Sequence, residues 1–348
     1  MHTPQEKTGK ALLGQNLEEL RQLVKAQGWP AYVAKQLAEW LYQHHARDVD
    51  EMSNISKKVR GILAQHYSIG HQEPAGVQTS ADGTKKYLFP VSQGGFVEAV
   101  YIPEGKRHTL CISTQVGCKM GCDFCMTGKQ GFQGQLTAGE ILNQVRSVAE
   151  RDLITNIVYM GMGEPLDNLE PVMKSLGILT AEYGYGMSHR RITVSTIGML
   201  PALKDLLEHS QCRLAISVHS PFREERSKLV PLEKKHPIKE VIRTVREHGL
   251  ESQRRLSIEY IVFKDLNHSD AHARALARLL QHLRCRINLI RFHPIPGSRL
   301  KSPDEEQINK FRETLEENGV ITTIRRSRGQ DISAACGMLA TKSFDILT

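Results

Sequence analysis

The stretch HTLCISTQVGCKMGCDFCMTGKQGFQGQLTAGEILNQV, residues 108–145, reads as a strand, then a loop, then a helix. HTLCIST is a short apolar and β-branched run of the kind that forms a buried strand. Thr137 with Glu140 three residues later makes a capping box, and Ile141, Leu142, Val145 and Val148 follow on one helical face. Between the two lie Cys118, Cys122 and Cys125, spaced C-x3-C-x2-C on a single loop. Three thiolates this close cannot all be disulfide-paired, and soft sulfur donors so spaced suit zinc or an iron–sulfur cluster. A structural zinc would need a fourth ligand, and no Cys or His follows at a neighbouring short spacing. A [4Fe–4S] cluster held by three cysteines leaves one iron open to a small chelating ligand. The spacing therefore favours the cluster over zinc.

Outward from this unit the same alternation continues. NIVYMGMG, RITVSTIG, RLAISVHS, SIEYIVF, INLIRFHP and VITTIRRS are strand candidates with helical segments between them. Strands alternating with helices predict a parallel sheet with right-handed crossovers. About 240 residues of it fit a full or partial (β/α) barrel as well as an open doubly wound sheet. Upstream, VQTSADGTKKYLF carries an Asp82-Gly83 turn between alternating segments, a hairpin signal, and FVEAVYIP is a further strand. The first part of the chain predicts three short amphipathic helices. Asn16 and Glu19 form a capping box ahead of Leu17, Leu20, Leu23 and Val24, with Gly28 as the stop. Pro30 opens a second run with Val33, Leu37, Trp40 and Leu41, and Ile55, Val59, Ile62 and Leu63 mark a third. The expected α/β organisation is thus a helical domain over 1–72, a β-hairpin and strand connector over 73–106, and a barrel core over 107–348.

Composition narrows the class without naming a chemistry. A chain of 348 residues with 40% hydrophobic and 24% charged residues has the make-up of a globular protein with a sizeable core. No apolar run approaches the roughly 18 residues of a membrane span. The first fifteen residues, MHTPQEKTGKALLGQ, lack the apolar core of a secretory signal. Seven cysteines is an odd number, which argues against a disulfide scaffold and for a reducing cytoplasm. The net charge of +8 leaves room for a phosphate-rich partner.

The three-cysteine loop, with Phe124 just before its last cysteine, resembles that of the radical S-adenosylmethionine (SAM) superfamily. VEAVYIP, TLCISTQVGC, QGFQGQLTAGEI, YMGMGEPLDN, VSTIG, SVHS, RSKLVP and AACG stand in the order and spacing found in the dual-specificity RNA adenine-C2 methyltransferases. The resemblance covers essentially the whole chain. It implies a partial (β/α) barrel of the radical SAM type preceded by a small RNA-binding helical domain. It also implies a [4Fe–4S] cluster on Cys118, Cys122 and Cys125, and two SAM molecules per methylation, one bound at the open iron. The carbon to be methylated, C2 of adenine, is not nucleophilic, so ordinary transfer from a sulfonium fails there and either a radical or a carbon nucleophile is needed. A cluster that reductively cleaves SAM would supply the radical.

Residue roles follow from the same resemblance. Cys336 in AACG matches the cysteine that is first methylated. Cys111 matches the resolving thiol that forms a transient disulfide with it. Glu98 in VEAVYIP matches the general base, although a glutamate alternating with apolar residues on a strand is ordinarily a solvent-facing position. Binding groups in a parallel barrel gather at the carboxyl ends of strands. Gly163 and Glu164 end one strand, where a carboxylate or carbonyl can accept from the methionyl ammonium. The resemblance adds Ser195 and the run Ser217, Val218 and His219. It also adds His293, where the family commonly shows Asn. Cys212 and Cys285 match no functional position and read as packing residues. Arg190-Arg191, Arg254-Arg255 and Arg325-Arg326, with Arg299 and Arg328, are candidate RNA contacts. The implied partners are 23S ribosomal RNA, transfer RNA and an electron donor of the flavodoxin or ferredoxin kind. No membrane partner and a monomer are expected. GMGEPLDN points to C2. The same mechanism at adenine C8 is the alternative, and a non-enzymatic RNA-binding metal or iron–sulfur sensor is the alternative of another class.

Overall fold

Apolar spacing in the first part of the chain produces the three expected helices. The structure is a computed structural model and describes residues 9–250 and 255–340, so Arg254 lies outside the described residues. In α1 (Leu17–Ala26) the Asn16 side chain accepts from the Glu19 amide at 2.9 Å, and the Glu19 carboxylate accepts from the Asn16 amide at 2.8 Å. Leu20 and Val24 are buried against α2 (Val33–Tyr42), whose own buried face includes Val33, Leu37 and Leu41. α3 (Lys57–His66) starts after a Ser56 cap. Ile55, expected in that helix, is buried just ahead of it.

Ten strands form one sheet. β1 (Gly76–Thr79), β2 (Lys85–Pro90) and β3 (Phe96–Glu104) are antiparallel. β3 turns back antiparallel onto β4 (Arg107–Ile112). From β4 the sheet is parallel: β5 (Asn156–Tyr159), β6 (Ile192–Thr196), β7 (Arg213–Ser217), β8 (Leu256–Val262), β9 (Cys285–Arg291) and β10 (Thr322–Ile324). Every predicted strand is present. Their spatial order is the chain order, so there is no strand-order reversal of the doubly wound kind, and the barrel alternative holds. β1 and β10 end the sheet without pairing to each other, which makes the barrel partial. The curl is evident from what one cavity touches: Val100 on β3, Cys111 on β4, Tyr159 on β5, Ser195 on β6, Ser217 on β7, Ile261 on β8 and Ile290 on β9 all line it.

The crossover helices cover the outer surface. α4 (Met126–Gln130) is a short turn after the cysteine loop, and α5 (Ala138–Arg146) carries the predicted Thr137–Glu140 capping box. α5 packs on α6 (Leu169–Thr180), α6 on α7 (Leu200–His209), α7 on α9 (Ile238–His248), and α10 (Asp270–Leu279) on α11 (Glu305–Glu317). The amino-terminal helices dock on this layer. Buried Arg146 reaches the Ala46 carbonyl at 2.7 Å, and Lys174 pairs with Glu19 at 2.6 Å.

A buried arginine on α8 (Arg223–Leu229) closes the carboxyl-terminal mouth of the sheet. Strand ends leave carbonyls without ladder partners, and a buried orphan acceptor is costly. Arg226 Nε donates to the Val218 carbonyl at 2.9 Å, and its Nη2 donates to the Ser217 and Ile197 carbonyls, each at 2.9 Å. Its Nη1 pairs with Glu233 at 2.5 Å, and neither side chain of the pair is more than 1% exposed. Removing one partner of such a pair strands a buried charge. Arg226→Met should therefore destabilise the protein by about 3–5 kcal/mol, read as a lower denaturant midpoint. Adding Glu233→Leu should recover a substantial part of that loss.

Candidate active site

The three cysteines sit on a loop whose two ends are held together. Gln115–Val116 pairs antiparallel with Gly134–Gln135, a two-residue ladder that the sequence does not announce. Gly117 has φ +71°, and a Cβ there would fall 1.6 Å from the Gly131 carbonyl oxygen, so only glycine allows the loop's two limbs to meet. Cys118, Cys122 and Cys125 then line one cavity of about 190 Å³ at the carboxyl ends of the strands. That cavity also takes Gly163, Glu164, Ser195, Ser217 and His219 from three different strand ends, together with Cys111 and Cys336.

The donor set fits a cluster better than a single ion. Among the described residues no three His, Cys, Asp or Glu side chains converge as one metal ion would require. The thiols are nonetheless close enough to influence one another electrostatically, Cys118 with Cys125 and Cys122 with both. Sulfurs arranged around a shared space, with no fourth protein ligand, match separate corners of a cluster rather than a tetrahedral zinc.

The strand ends around the cavity are braced in a definite way. Gly163 has φ +96°, and a Cβ there would lie 2.5 Å from Gln115 Cβ, so the turn after β5 needs glycine. The Glu164 carboxylate accepts from the Leu166 amide at 3.2 Å and from the Ile197 amide at 3.1 Å. Burial lifts its pKa to about 7. Those partners show a carboxylate engaged in tying β5 to β6, which leaves the backbone carbonyls as the more available acceptors at this turn. His219 Nδ1 accepts from the Ile261 amide at 3.1 Å, so in its neutral form the ring proton resides on Nε2. Burial, then Arg226, depresses its pKa to about 3, so the ring stays neutral. Its edge meets the Phe124 ring with centroids 4.6 Å apart.

Three expected residues lie outside this cavity. Val218 is buried behind it, with its amide on the Glu259 carbonyl at 3.0 Å and its own carbonyl on Arg226. His293 lines a side opening of about 570 Å³ instead, together with Cys111 and Cys336. Glu98 is fully buried rather than solvent-facing, and Lys86 Nζ stands 3.1 Å from its Oε1. Burial raises the Glu98 pKa to about 7, against the opposing pull of Lys86. Glu98 is two residues from Val100, which is paired with Cys111 across β3 and β4. Residues i and i+2 share a strand face, so Glu98, Val100 and Cys111 all face the barrel interior.

Cys336 is carried on a segment strapped across the barrel mouth. The Met126 amide donates to the Gly337 carbonyl at 2.8 Å, and Thr127 Oγ1 donates to the Leu339 carbonyl at 2.7 Å. At the other end Asp331 accepts from Ser80 Oγ at 2.6 Å and from the Ala81 amide at 3.1 Å. Cys336 is exposed, and it borders both the inner cavity and the side opening. Cys111 is buried, and burial with the nearby Cys336 pushes its thiol up to about 12. Both are free thiols. Arg325, flagged in the sequence only as half of a basic pair, lines both spaces and is held by Glu259 at 3.4 Å. Burial lowers its pKa, but the sulfurs of Cys336 and Cys111 and the Glu259 carboxylate more than offset that. Neither Lys86 nor Arg325 carries a local motif that would have marked it.

Comparison with known proteins agrees with this geometry. Residues 112–277 match the sequence model described as the radical SAM superfamily, and residues 10–69 match that of the ribosomal RNA large subunit methyltransferase N-terminal domain. The chain is 54% identical to a probable dual-specificity RNA methyltransferase RlmN of Bacteroides thetaiotaomicron, over 95% of this chain and 96% of that protein. It is 42% identical to the dual-specificity RNA methyltransferase RlmN of Halorhodospira halophila, over 97% and 96% respectively. The crystal structure of a radical SAM methyltransferase from Sphaerobacter thermophilus superposes with a TM-score of 0.90 at 42% identity, covering 95% of this chain and 99% of that one.

The two elevated carboxyl groups have a measurable consequence. Their folded-state pKa values lie above the unfolded ones, so the folded protein binds more protons between about pH 4.5 and 7. Stability should be fullest below that window and fall as pH rises through it. Glu98→Gln should reduce the slope in equilibrium unfolding, and Lys86→Met should move the Glu98 carboxyl titration, followed by infrared difference spectroscopy, to higher pH.

Proposed function

We propose that this chain, which belongs to the family of dual-specificity RNA methyltransferases RlmN within the radical SAM superfamily, methylates C2 of a specific adenosine in 23S ribosomal RNA and of an adenosine in the anticodon loop of transfer RNA. The observation that carries the reading is the shared cavity. Four cysteines from residues 111–125 and a fifth, Cys336, more than 200 residues further along the chain are gathered with the strand-end residues Gly163, Ser195, Ser217 and His219 at one mouth of the barrel.

Cys118, Cys122 and Cys125 would hold a [4Fe–4S] cluster. When bound, it supplies the electron that cleaves SAM to a carbon radical able to take a hydrogen atom from an unactivated methyl group. The chain's own residues do the rest. Gly163 with its neighbouring turn, Ser195, Ser217 and the neutral His219 bound the cofactor space, and Glu164 and Val218 hold the strand ends that present them. Cys336 accepts the methyl group of one SAM, loses a hydrogen atom from that methyl after a second SAM is cleaved, and joins to the base. Glu98, with a pKa of about 7, takes the proton from the attacked ring carbon. Once the unpaired electron left by that addition has been given up, for which the cluster would be the acceptor, the Cys111 thiolate attacks the Cys336 sulfur. The sulfur–methylene bond breaks as the transient disulfide forms, and the released carbon takes up a proton to become the methyl group. A cytosolic two-electron reductant restores both thiols. Its raised pKa means that Cys111 must be deprotonated within the complex, and Arg325 is the cation that favours its thiolate. His293 sits where an incoming base would pass rather than at the cofactor.

The amino-terminal helices would serve as the RNA-binding accessory domain over 1–72, with the strands of 73–106 presenting Glu98 to the barrel core of 107–348. A cytoplasmic monomer fed by an electron donor of the flavodoxin or ferredoxin kind completes the reading. Among the described residues no helix is long and apolar enough to cross a membrane.

Anaerobic assay of the iron-loaded protein with an adenosine-containing RNA hairpin and methyl-labelled SAM tests this. Mass spectrometry of the product should show the C2 proton replaced. Replacement at C8 would assign the chain to the other regiochemistry. An RNA-binding sensor, in contrast, would leave SAM unconsumed and would tolerate Cys336→Ala. Cys336→Ala should abolish methylation, whereas Cys111→Ala should accumulate protein covalently joined to RNA, visible as a gel-shifted band. Methylation should also fall as pH drops below about 7, with the limb lost in Glu98→Gln along with most of the activity.

A further inference from the structure

The end of the barrel opposite the cysteines is ringed by arginines. Arg107 starts β4, Arg213 starts β7, Arg255 immediately precedes β8, and Arg286 lies at the start of β9. All four line a cavity of about 200 Å³ at the amino ends of the strands. Among the described residues none of the four has a carboxylate within 4.0 Å. The one carboxylate lining the cavity, Glu259, is already taken: it accepts from Ser257 at 3.1 Å and from Asn288 at 2.8 Å, and pairs with Arg325 at 3.4 Å. Arg213 Nε is buried without a hydrogen-bond partner. Burial first, then Arg255, Arg107, Arg190 and Arg286, pull its pKa down.

Like charges brought together without counter-charges repel, and a fold keeps such a cluster only at a cost that a bound anion removes. The positive surface is also continuous in two directions. Arg255 and Arg286 extend into a neighbouring cavity of about 550 Å³ with Arg284 and His282. Arg107 extends into the side opening that Cys111, His293 and Cys336 line. A lone phosphate would occupy one of these spaces, whereas a polyanionic strand spans them and ends beside the reactive sulfurs.

We infer that the arginine ring at the amino-terminal mouth of the barrel is a seat for RNA phosphodiesters flanking the target nucleotide, whose base reaches Cys336 through the side opening. This rests on the RNA methyltransferase reading above and adds the face and direction of approach. Cofactor and RNA then enter the barrel from different sides, and Cys336, which borders both spaces, is where they meet. Arg325 belongs to the sulfurs and is not one of the phosphate ligands.

The test measures binding of a fluorescent RNA hairpin to the full-length, iron-loaded protein across a salt series. Affinity for RNA falls with salt in proportion to the phosphates neutralised, by roughly 0.7 in logarithmic slope per contact for single strands. The triple variant Arg213→Gln, Arg255→Gln, Arg286→Gln should show a slope shallower by roughly two. The matching triple Lys variant should keep most of the slope, since a point charge suffices for phosphate. Iron content and thermal melting establish that each variant is folded. A Gln triple with the wild-type slope overturns the seat while leaving the methyltransferase reading intact. A Lys triple as shallow as the Gln triple shows a structural rather than an electrostatic role and overturns it too. Wild-type protein that neither binds nor methylates the hairpin overturns the RNA reading and the seat with it.

Discussion

Seven parallel strands deliver their unpaired carbonyls to one mouth, and something must satisfy them without filling the mouth. At the ends of β6 and β7 Arg226 does this, with one guanidinium on the carbonyls of Ile197, Ser217 and Val218 and its charge met by Glu233. This Arg226 clamp does not itself line the cavity, which stays open where Ser195, Ser217 and His219 border it. The same clamp sets the electrostatics, since a buried cation near His219 helps keep that ring neutral. Packing and site chemistry thus share one interaction.

A second theme is the use of burial to set proton affinity. Glu98 and Glu164 are both elevated to about 7 by desolvation, yet their surroundings differ. Glu164 is enclosed by backbone amides and acts as a brace between strands. Glu98 faces Lys86 across the strand pair and is approached by the Ala340 backbone, and the pair lies on the interior face near Cys111. A carboxyl group near neutrality with one cationic neighbour can exchange its proton, whereas one held by several amides has its lone pairs spoken for.

The readable part of the sequence was local. Short apolar and β-branched runs marked all seven parallel strands, the two capping boxes at Asn16–Glu19 and Thr137–Glu140 formed as expected, and the cysteine spacing marked a loop whose three sulfurs line one cavity. Alternation alone misjudged Glu98, because a two-residue period tells which side chains share a face but not whether that face is covered. Here the curl of the sheet buries it. Lys86, Arg325 and the ring of Arg107, Arg213, Arg255 and Arg286 come from segments far apart in the chain, and it is the curl of the sheet that sets Lys86 beside Glu98 and gathers the arginines around shared spaces. His293 followed the family's register, yet the turn after β9 places it in the side opening.

The strap that presents Cys336 also imposes an order on biogenesis. Asp331 grips the hairpin turn at Ser80 and Ala81 across some 250 residues, and the strap's far end rests on Met126 and Thr127. A ribosome making this chain has exposed the entire cysteine loop long before that closure can form. Metal loading can therefore proceed through an unlatched doorway, and the most exposed sulfur arrives last.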